Sequence, residues 1–229
     1  MKLPIYFKQL ELGPMQNYVY LLGDPNTHEA AVVDAAWDID AVIDAAEAEG
    51  YRITHDLVTH FHPDHLGGGF MGHNVTGAAE LIARLPVRVV LHKAEMPFVH
   101  RITGLSDNDV LAVEGGDEVR VGNLTVKLLH TPGHTPGSQC FLVGNAVVSG
   151  DTLFIGSCGR VDLPGSSPED MYRSLHDVLG ALPDETLLFP GHNYAAASKS
   201  TIGDEKRTNP LLRFRTLNDF LAVMSPLRP

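Results

Sequence analysis

Short apolar runs rich in valine, isoleucine and tyrosine recur along the chain and predict strands. IYFKQL, NYVYLL and AAVVD come first, and Gly13-Pro14 and the segment GDPN separate them as hairpin turns do. A further run, ITHDLVT, ends immediately before His60. The same pattern returns later in VRVVLH, DEVRVG, LTVKLLH, QCFLVG, AVVSG and TLLFP.

Two segments carry apolar residues at helical spacing instead. The first is predicted to begin at Asp38, a suitable N-cap, and to end at Gly50. The second is predicted to begin after Ser167, with Pro168 at the first helical position and acidic residues at the positive end of the helix dipole. Their apolar positions are Ile39, Val42, Ile43 and Ala46 in the first helix and Met171, Leu175, Val178 and Leu179 in the second.

Strands dominate each half of the chain, with a few helices between them. This order predicts two sheets packed face to face with helices outside. We expect a single domain over residues 1–229, because no linker, repeat or low-complexity tract interrupts the pattern. Residues 69–105 have a weak pattern, and the sequence predicts no definite role for them.

Composition narrows the class of protein. A hydrophobic fraction of 44% in 229 residues supports a sizeable core. A net charge of −11 disfavours the phosphate backbone, so we expect no nucleic-acid partner. The beginning of the chain has no apolar signal region and no stretch is long enough to span a bilayer, so a cytoplasmic protein without membrane contact is predicted. The sequence does not indicate an oligomeric state.

The segment VTHFHPDHLGG concentrates three histidines and an aspartate in six residues. If His60 ends a strand, the side chains of His60 and His62 point to the same side, because strand side chains alternate. Pro63 favours extended backbone at His62, and the following glycines permit tight turns, so Asp64 and His65 can fold back over the same space. Imidazole and carboxylate together suit zinc, iron or manganese.

Three later strands each lead to one further candidate ligand. LTVKLLH precedes His134 in HTPGHTPGS, AVVSG precedes Asp151, and TLLFPG precedes His192. Residues at strand ends are held on a rigid scaffold, which metal and catalytic sites require. Together with the histidine-rich segment, they supply enough donors for two metal ions.

These four blocks, in this order and spacing, resemble the metallo-β-lactamase superfamily. HxHxDH with its glycines, then TPGHTPGS, SGDTLF and PGHNY, cover nearly the whole chain. The resemblance implies an α/β fold of the αββα type, with two mixed sheets, helices on the outer faces and the metal site at one edge. Aspartate at position 151, where several zinc β-lactamases have cysteine, is typical of the glyoxalase II-like branch.

The resemblance implies two divalent metal ions, with zinc as the first choice and iron or manganese as alternatives. Asp151 is the ligand that bridges them. The remaining ligands are His60, His62 and His134 for the first ion and Asp64, His65 and His192 for the second.

The resemblance also implies a hydrolase that cleaves a thioester of a hydroxyacyl thiol. Two ions that share a ligand hold a hydroxide at neutral pH. Asp64 and Asp151 are then the catalytic residues, Asp64 by orienting the hydroxide and Asp151 by bridging the ions. A thiolate leaves with little protonation, and the partner is a small thiol-derived molecule.

Arg160 in GSCGRVD and Tyr194 in PGHNY are the candidate substrate-binding residues. In glyoxalase II-like and persulfide dioxygenase-like proteins, a basic residue and a tyrosine at similar places contact polar groups of the thiol cofactor. A guanidinium can bind a carboxylate through two parallel hydrogen bonds. The competing interpretation of Arg160 is a structural ion pair with Asp162.

A mononuclear non-haem iron persulfide dioxygenase on the same fold is the main alternative. Its iron site uses two histidines and a carboxylate, matching His60, His134 and Asp151, and this set lies inside the hydrolase set. The segment DEKRTNPLLR near the end of the chain also resembles this broad group. A phosphodiesterase or nuclease is a weaker alternative, because the chain is acidic and has no basic arm.

Overall fold

The computed structural model describes residues 5–70 and 72–224, and sixteen strands lie within them. In chain order the strands are β1 (Tyr6–Leu12), β2 (Asn17–Asp24), β3 (Glu29–Val33), β4 (Arg52–Leu57), β5 (Gly68–Phe70), β6 (His73–Val75), β7 (Arg88–His92), β8 (Val110–Val113), β9 (Glu118–Val121), β10 (Leu124–His130), β11 (Gln139–Val143), β12 (Ala146–Gly150), β13 (Leu153–Phe154), β14 (Ser157–Cys158), β15 (Leu187–Pro190) and β16 (Ser200–Thr201).

Twelve of these strands form two six-stranded sheets. The first has the order β1-β2-β3-β4-β7-β8 and the second β16-β15-β12-β11-β10-β9. β1 to β3 are antiparallel, whereas β3, β4, β7 and β8 run parallel. In the second sheet only β12 and β15 pair in parallel. Both sheets are therefore mixed, as the resemblance implies.

The two sheets pack face to face over a common core. Tyr20 and Val33 of the first sheet and Phe141 and Val148 of the second are buried in it. Because strand side chains alternate, the neighbouring positions point away from this core and need cover on the outside.

Helices cover both outer faces. Helices α1, α3 and α4 bury apolar residues against the first sheet, and α5, α6 and α7 against the second. The αββα arrangement is confirmed. The helices are α1 (Ile39–Glu47), α2 (Pro63–Leu66), α3 (Ala78–Arg84), α4 (Met96–Thr103), α5 (Pro168–Arg173), α6 (Ile202–Thr208) and α7 (Leu217–Met224).

The two predicted helices begin where the sequence indicates. Asp38 caps α1, because its carboxylate accepts a hydrogen bond from the Ala41 amide at 2.9 Å. Ser167 caps α5, but regular α-helix ends at Arg173 and a π-helical turn over Ser174–Leu179 follows. Among the described helices, none combines the length and hydropathy that crossing a bilayer requires.

Residues 69–105, for which the sequence predicts no definite structure, contain part of the β5–β6 hairpin, α3, β7 and α4. The ring of Phe98 in α4 stacks on Phe61 at a centroid distance of 4.4 Å and an interplanar angle of 11°. Phe61 lies between His60 and His62 in the chain. This region therefore supports the histidine-rich loop from the outside of the first sheet.

Candidate metal centre

All seven predicted ligands converge at one edge of the sheets. Loops that follow strands of both sheets bring them there, and the short helix α2 supplies two of them. The loop after β4 carries His60 and His62, α2 carries Asp64 and His65, and the segments after β10, β12 and β15 carry His134, Asp151 and His192.

His60 and His62 meet for a reason other than the predicted one. β4 ends at Leu57, and the chain from Thr59 to His62 is irregular. The Thr59 amide hydrogen-bonds the side chain of Asp34 at 2.7 Å instead of extending the ladder. Strand alternation was therefore the wrong explanation, although the two imidazoles do lie together, with ring centroids 4.7 Å apart.

The donor atoms fall into two separate groups, and a third group, formed by His60, His65 and Asp151, overlaps both. His60, His62 and His134 form one group, and Asp64, His65 and His192 form another, with the donor atoms of each within 4.8 Å of one another. In the first group, His62 Nδ1 lies 3.0 Å from His134 Nε2. In the second, the Nε2 atoms of His65 and His192 are 3.1 Å apart.

Asp151 lies between the groups. Its Oδ1 is 3.4 Å from the Nε2 atoms of His65 and His192, and its Oδ2 is 3.6 Å from His134 Nε2. The PGHNY block needs glycine at position 191, because a Cβ there would collide with Asp151 Oδ1. The side chain of Asp151 can thus be shared by two ions.

The outward-facing nitrogens prepare the rings for a metal. In four of the five histidines, Nδ1 faces an oxygen that accepts a hydrogen bond, so the neutral ring carries its proton on Nδ1 and its lone pair on Nε2. The partners are Thr59 Oγ1 for His60 at 3.0 Å, Asp34 Oδ2 for His65 at 2.9 Å, the Arg160 carbonyl for His134 at 2.8 Å and the Met15 carbonyl for His192 at 2.9 Å.

Two buried atoms of the centre are left without partners in the described part of the chain. They are His60 Nε2 and Asp151 Oδ1. An unsatisfied buried polar atom is costly, and both point into the group of donors formed by His60, His65 and Asp151. A bound cation would satisfy both atoms, so the residues present fit a metal.

The protonation of His60 and His62 agrees with this fit. Burial and the surrounding imidazoles lower the pKa of His60 well below its usual range and that of His62 to about 4, so both rings are neutral at pH 7, the form that binds metal. Burial alone would lower the pKa of His65 too, but Asp64 and Asp151 beside it raise it. A divalent cation bound there would neutralise the negative charge of the same two carboxylates, Asp64 and Asp151.

Three buried polar residues that the sequence did not single out complete the centre: Asp34, Glu95 and Asn17. The Asp34 carboxylate accepts hydrogen bonds from the amide and hydroxyl of Thr59, both at 2.7 Å, and from His65. The only signal for Asp34 is a lone acidic residue after the apolar run AAVV.

Glu95 joins two ligand loops. Its carboxylate accepts hydrogen bonds from the Phe61 amide at 2.7 Å and from the Gly137 amide. Phe61 belongs to the loop of His60 and His62, and Gly137 to the loop of His134. Glu95 follows β7 in sequence, so only the folded chain reveals this connection.

A cavity of about 540 Å³ opens over the centre. Arg160 and Tyr194 both line it, as does Cys158. The Arg160 guanidinium forms two hydrogen bonds of 2.8 Å to Asp162, so the competing ion-pair interpretation describes a real contact. The ring of Tyr194 stacks on His192 at 4.6 Å and 9°.

The cysteines show no sign of a nucleophile. Burial raises the pKa of Cys158 to about 12 and that of Cys140 to about 11, so both thiols are protonated at neutral pH. The chemistry available at this edge is therefore that of the imidazoles, the carboxylates and any metal that they hold.

The chain matches known proteins over the region that holds this site. The family model of the metallo-beta-lactamase superfamily matches residues 12–192, which span every proposed ligand. The chain is 34% identical to a beta-lactamase hydrolase-like protein of Agrobacterium fabrum, over 89% of this chain but only 52% of that protein. It spans about half the length of this relative.

Two further relatives have different activities. A hydroxyacylglutathione hydrolase of Maricaulis maris is 38% identical over 80% of this chain and 64% of its own length. The human mitochondrial persulfide dioxygenase ETHE1 is 29% identical over 98% of this chain and 82% of its own length. The crystal structure of ETHE1 from Myxococcus xanthus superimposes with a TM-score of 0.83 at 34% identity, covering 98% of this chain and 92% of that one.

Proposed function

The chain belongs to the metallo-beta-lactamase superfamily, and from this membership we propose that it is a metal-dependent hydrolase of the glyoxalase II-like type. Its substrate is a thioester of a small hydroxyacyl thiol. The observation that carries the proposal is the position of Asp151, whose two oxygens lie 3.4 to 3.6 Å from imidazoles of both donor groups. A shared carboxylate can hold two metal ions close enough to act together on one substrate.

The first ion would be held by three histidines, the second by Asp64 with two histidines, and both by Asp151. When bound, the ions supply a hydroxide nucleophile at neutral pH and polarise the carbonyl under attack. Zinc suits these nitrogen and oxygen donors best, and iron or manganese are the other candidates. The ligands of the first ion are His60, His62 and His134, and the histidines of the second are His65 and His192.

Asp64 and Asp151 are the proposed catalytic residues. Burial alone would raise the pKa of each, but neighbouring histidines lower it, to about 2 for Asp151 and below the usual range for Asp64. Both carboxylates are therefore ionised at neutral pH. Because both also line the cavity, they can accept a hydrogen bond from an attacking water and orient it towards a bound carbonyl.

Arg160 and Tyr194 are the proposed substrate-binding residues. Asp162 occupies Nε and one hydrogen of Nη2, which leaves three N–H groups of Arg160 for substrate oxygens. Partial burial and the charge of Asp151 raise the pKa of Tyr194 to about 12, so its hydroxyl remains a hydrogen-bond donor. Both residues would bind the thiol part of the substrate while the acyl carbonyl lies near the carboxylates.

Substitution of these two residues tests the assignment. We expect Arg160→Ala and Tyr194→Phe each to raise KM for a hydroxyacyl thioester roughly ten-fold, the loss of about one charge-assisted hydrogen bond, with metal content unchanged. Arg173→Ala is the matched control, because Arg173 forms a similar exposed pair with Asp170 at 2.9 Å, outside the residues that line the cavity. Loss of metal in both variants would reassign the pair to a structural role.

The second candidate is a mononuclear iron persulfide dioxygenase. The observation in its favour is similarity to persulfide dioxygenase ETHE1 across 98% of this chain, whereas the hydrolase match covers 80%. The iron would use His60, His134 and Asp151, and the remaining donors would surround it. The donor positions fit both candidates, because one set lies within the other.

Turnover by separate metal forms distinguishes the two. Purified protein is loaded with zinc or with Fe(II) and given either a hydroxyacyl thioester without oxygen or glutathione persulfide with oxygen. The proposal predicts thiol release by the zinc form under anaerobic conditions and little oxygen consumption. Rapid oxygen consumption that follows the iron content, with no thioester cleavage in any metal form, would replace the hydrolase by the dioxygenase.

The proposed place of action is the cytoplasm. Cys140 and Cys158 are both free. Free thiols and small thiol substrates persist in reducing compartments.

A further inference from the structure

Asn17 is a buried amide whose every hydrogen-bonding atom is engaged beside the metal centre. Its Nδ2 donates to the Asp64 carbonyl at 3.0 Å and to Asp64 Oδ2 at 3.1 Å. Its Oδ1 accepts a hydrogen bond of 2.9 Å from the indole Nε1 of Trp37. The indole can only donate, so it determines which end of the amide faces Asp64.

Trp37 is itself held in place. Its backbone is in the left-handed region, with φ of +72°, which is unusual for a large side chain. Thr76 secures that backbone twice: its carbonyl accepts from the Trp37 amide at 2.9 Å, and its hydroxyl donates to the Trp37 carbonyl at 2.6 Å. The indole packs where a Cβ on Gly13 would lie, so that position needs glycine.

The contact with Asp64 is directional. Asp64 Oδ2, the atom that Asn17 contacts, is also 3.3 Å from His65 Nε2 and 3.5 Å from His192 Nε2. A carboxylate oxygen has two lone pairs, so the hydrogen bond from Asn17 leaves one for the donor group. Asn17 therefore fixes the carboxylate oxygen that faces the two histidines.

The same turn holds the third member of that group. The turn, residues 13–17, consists of the connection between β1 and β2 together with Asn17, the first residue of β2. The Met15 carbonyl accepts from His192 Nδ1 at 2.9 Å, and the Gln16 carbonyl accepts from the Asn193 amide at 2.9 Å. Within the described residues, no hydrogen bond joins this turn to His60, His62 or His134.

We propose that Asn17, oriented by Trp37, is a positioning residue for the Asp64, His65 and His192 group, and that the 13–17 turn controls metal occupancy of that group separately from the other. The inference rests on the proposed two-metal centre. It assigns the choice between one bound ion and two to a hairpin turn that supplies no ligand.

Metal binding to three variants tests this. Asn17→Ala removes the amide, Asn17→Asp keeps its shape but replaces the donor with a carboxylate, and Trp37→Phe removes the indole N–H while keeping a smaller aromatic ring. Zinc is titrated into chelator-treated protein against a competing chromophoric chelator, and bound zinc is measured by elemental analysis. The control is Asn26→Ala, whose amide hydrogen-bonds Asp24 beyond the opposite end of β2.

We expect both Asn17 variants to bind the first equivalent of zinc as the wild type does and the second 10 to 100-fold more weakly, the usual cost of losing a residue that orients a metal ligand. Trp37→Phe should weaken binding of the second equivalent several-fold. Asn26→Ala should weaken binding of neither equivalent. Trp37 is the only tryptophan, so its fluorescence reports the second binding step in the wild type and in Asn17→Ala.

The inference would be overturned if the Asn17 variants bound both equivalents of zinc equally weakly, or bound both as the wild type does. A wild type that binds a single equivalent would also overturn it. If the Asn17 variants fail to fold, Trp37→Phe decides by the same comparison. The readout needs no substrate, so two bound ions without thioester cleavage would refute the proposed function and leave this inference intact.

Discussion

At the scale of single residues, Asp34 and Asp151 contact the donor groups in different ways. Asp34 has a left-handed backbone, with φ of +58°, and turns its carboxylate onto Thr59 and His65. That strain is tolerated because three hydrogen bonds hold the side chain. Asp151 instead directs both oxygens at histidines of the two donor groups.

The proposed bridging role of Asp151 gives the first prediction at this scale. Asp151→Asn removes the charge that both ions would share, so we expect the protein to lose most of both metal equivalents while it remains folded. Elemental analysis after desalting measures the loss. Asp177→Asn, on the exposed side of the π-helical turn, is the control. Unchanged metal content would show that Asp151 does not bridge.

Glu95 gives a prediction about pH. Burial raises its pKa from 4.5 to about 7, despite the backbone amides that it accepts from. The folded state therefore holds a proton that the unfolded state has lost between pH 4.5 and 7. The raised pKa therefore adds about 3 kcal/mol to the free energy of unfolding below pH 4.5. This contribution is lost as the pH rises through 7.

Urea unfolding at pH 5 and pH 8 measures this contribution. Glu95→Gln cannot ionise, so its free energy of unfolding should fall less over this interval than that of the wild type. Its absolute stability should be lower, because an amide nitrogen would face a backbone N–H. The exposed Glu185→Gln should behave as the wild type does. Parallel pH profiles for wild type and Glu95→Gln would contradict the assignment.

At the scale of elements, α6 supports the hairpin β13–β14, which lines the cavity. Glu205 of α6 is buried, and its carboxylate accepts hydrogen bonds from the Gly156 amide at 2.8 Å and the Asn209 amide at 3.0 Å. Asn209 also donates to the Ser157 carbonyl at 3.1 Å. The side chains of Glu205 and Asn209, in the segment DEKRTNPLLR, therefore hold the backbone of this hairpin at the cavity wall.

Removal of this support should loosen the cavity wall. Glu205→Ala leaves buried donors without an acceptor, so we expect a loss of about 2–4 kcal/mol in stability, faster hydrogen exchange at the Gly156 amide and a higher KM with metal content retained. Asp204→Ala, the exposed neighbour, should leave exchange at Gly156 unchanged. Equal protection of Gly156 in both variants would rule out the support.

At the scale of the whole molecule, the centre joins the two sheets, because its ligands follow strands of both. His60 follows a strand of the first sheet, and Asp151 and His192 follow strands of the second. Metal bound there would hold the sheets together at one edge, as the core around Phe141 holds them in the middle. Folding and metal binding should therefore be linked.

Chelation measures this linkage. An ion present at 100 times its dissociation constant stabilises the fold by about 2.7 kcal/mol, so we expect its removal to lower Tm by roughly 5–10 °C. Calorimetry with and without chelator, followed by addition of zinc, tests both the loss and its reversal. Asp151→Asn should respond much less to chelation. A Tm that is independent of metal would show that the ligands add nothing to stability.

The sequence by itself determined the features that depend on neighbouring residues. Strand alternation, the Asp38 and Ser167 caps and the histidine-rich segment are all local, so they identified most strands, the starts of two helices and the seven candidate ligands. The strands β5, β6, β8, β13, β14 and β16 were missed, because segments of two to four residues give little or no periodic pattern.

Only the tertiary structure decided how these pieces support one another. Asn17 meets Asp64 from 47 positions away and Asp34 meets His65 from 31, and no periodicity in the sequence predicts such pairs. The physical reason is that a buried polar group takes its partners from whatever the packed sheets bring within 3 Å, whereas the sequence specifies only which groups need partners. The candidate ligands could therefore be named from the sequence, but the residues that contact and orient them could not.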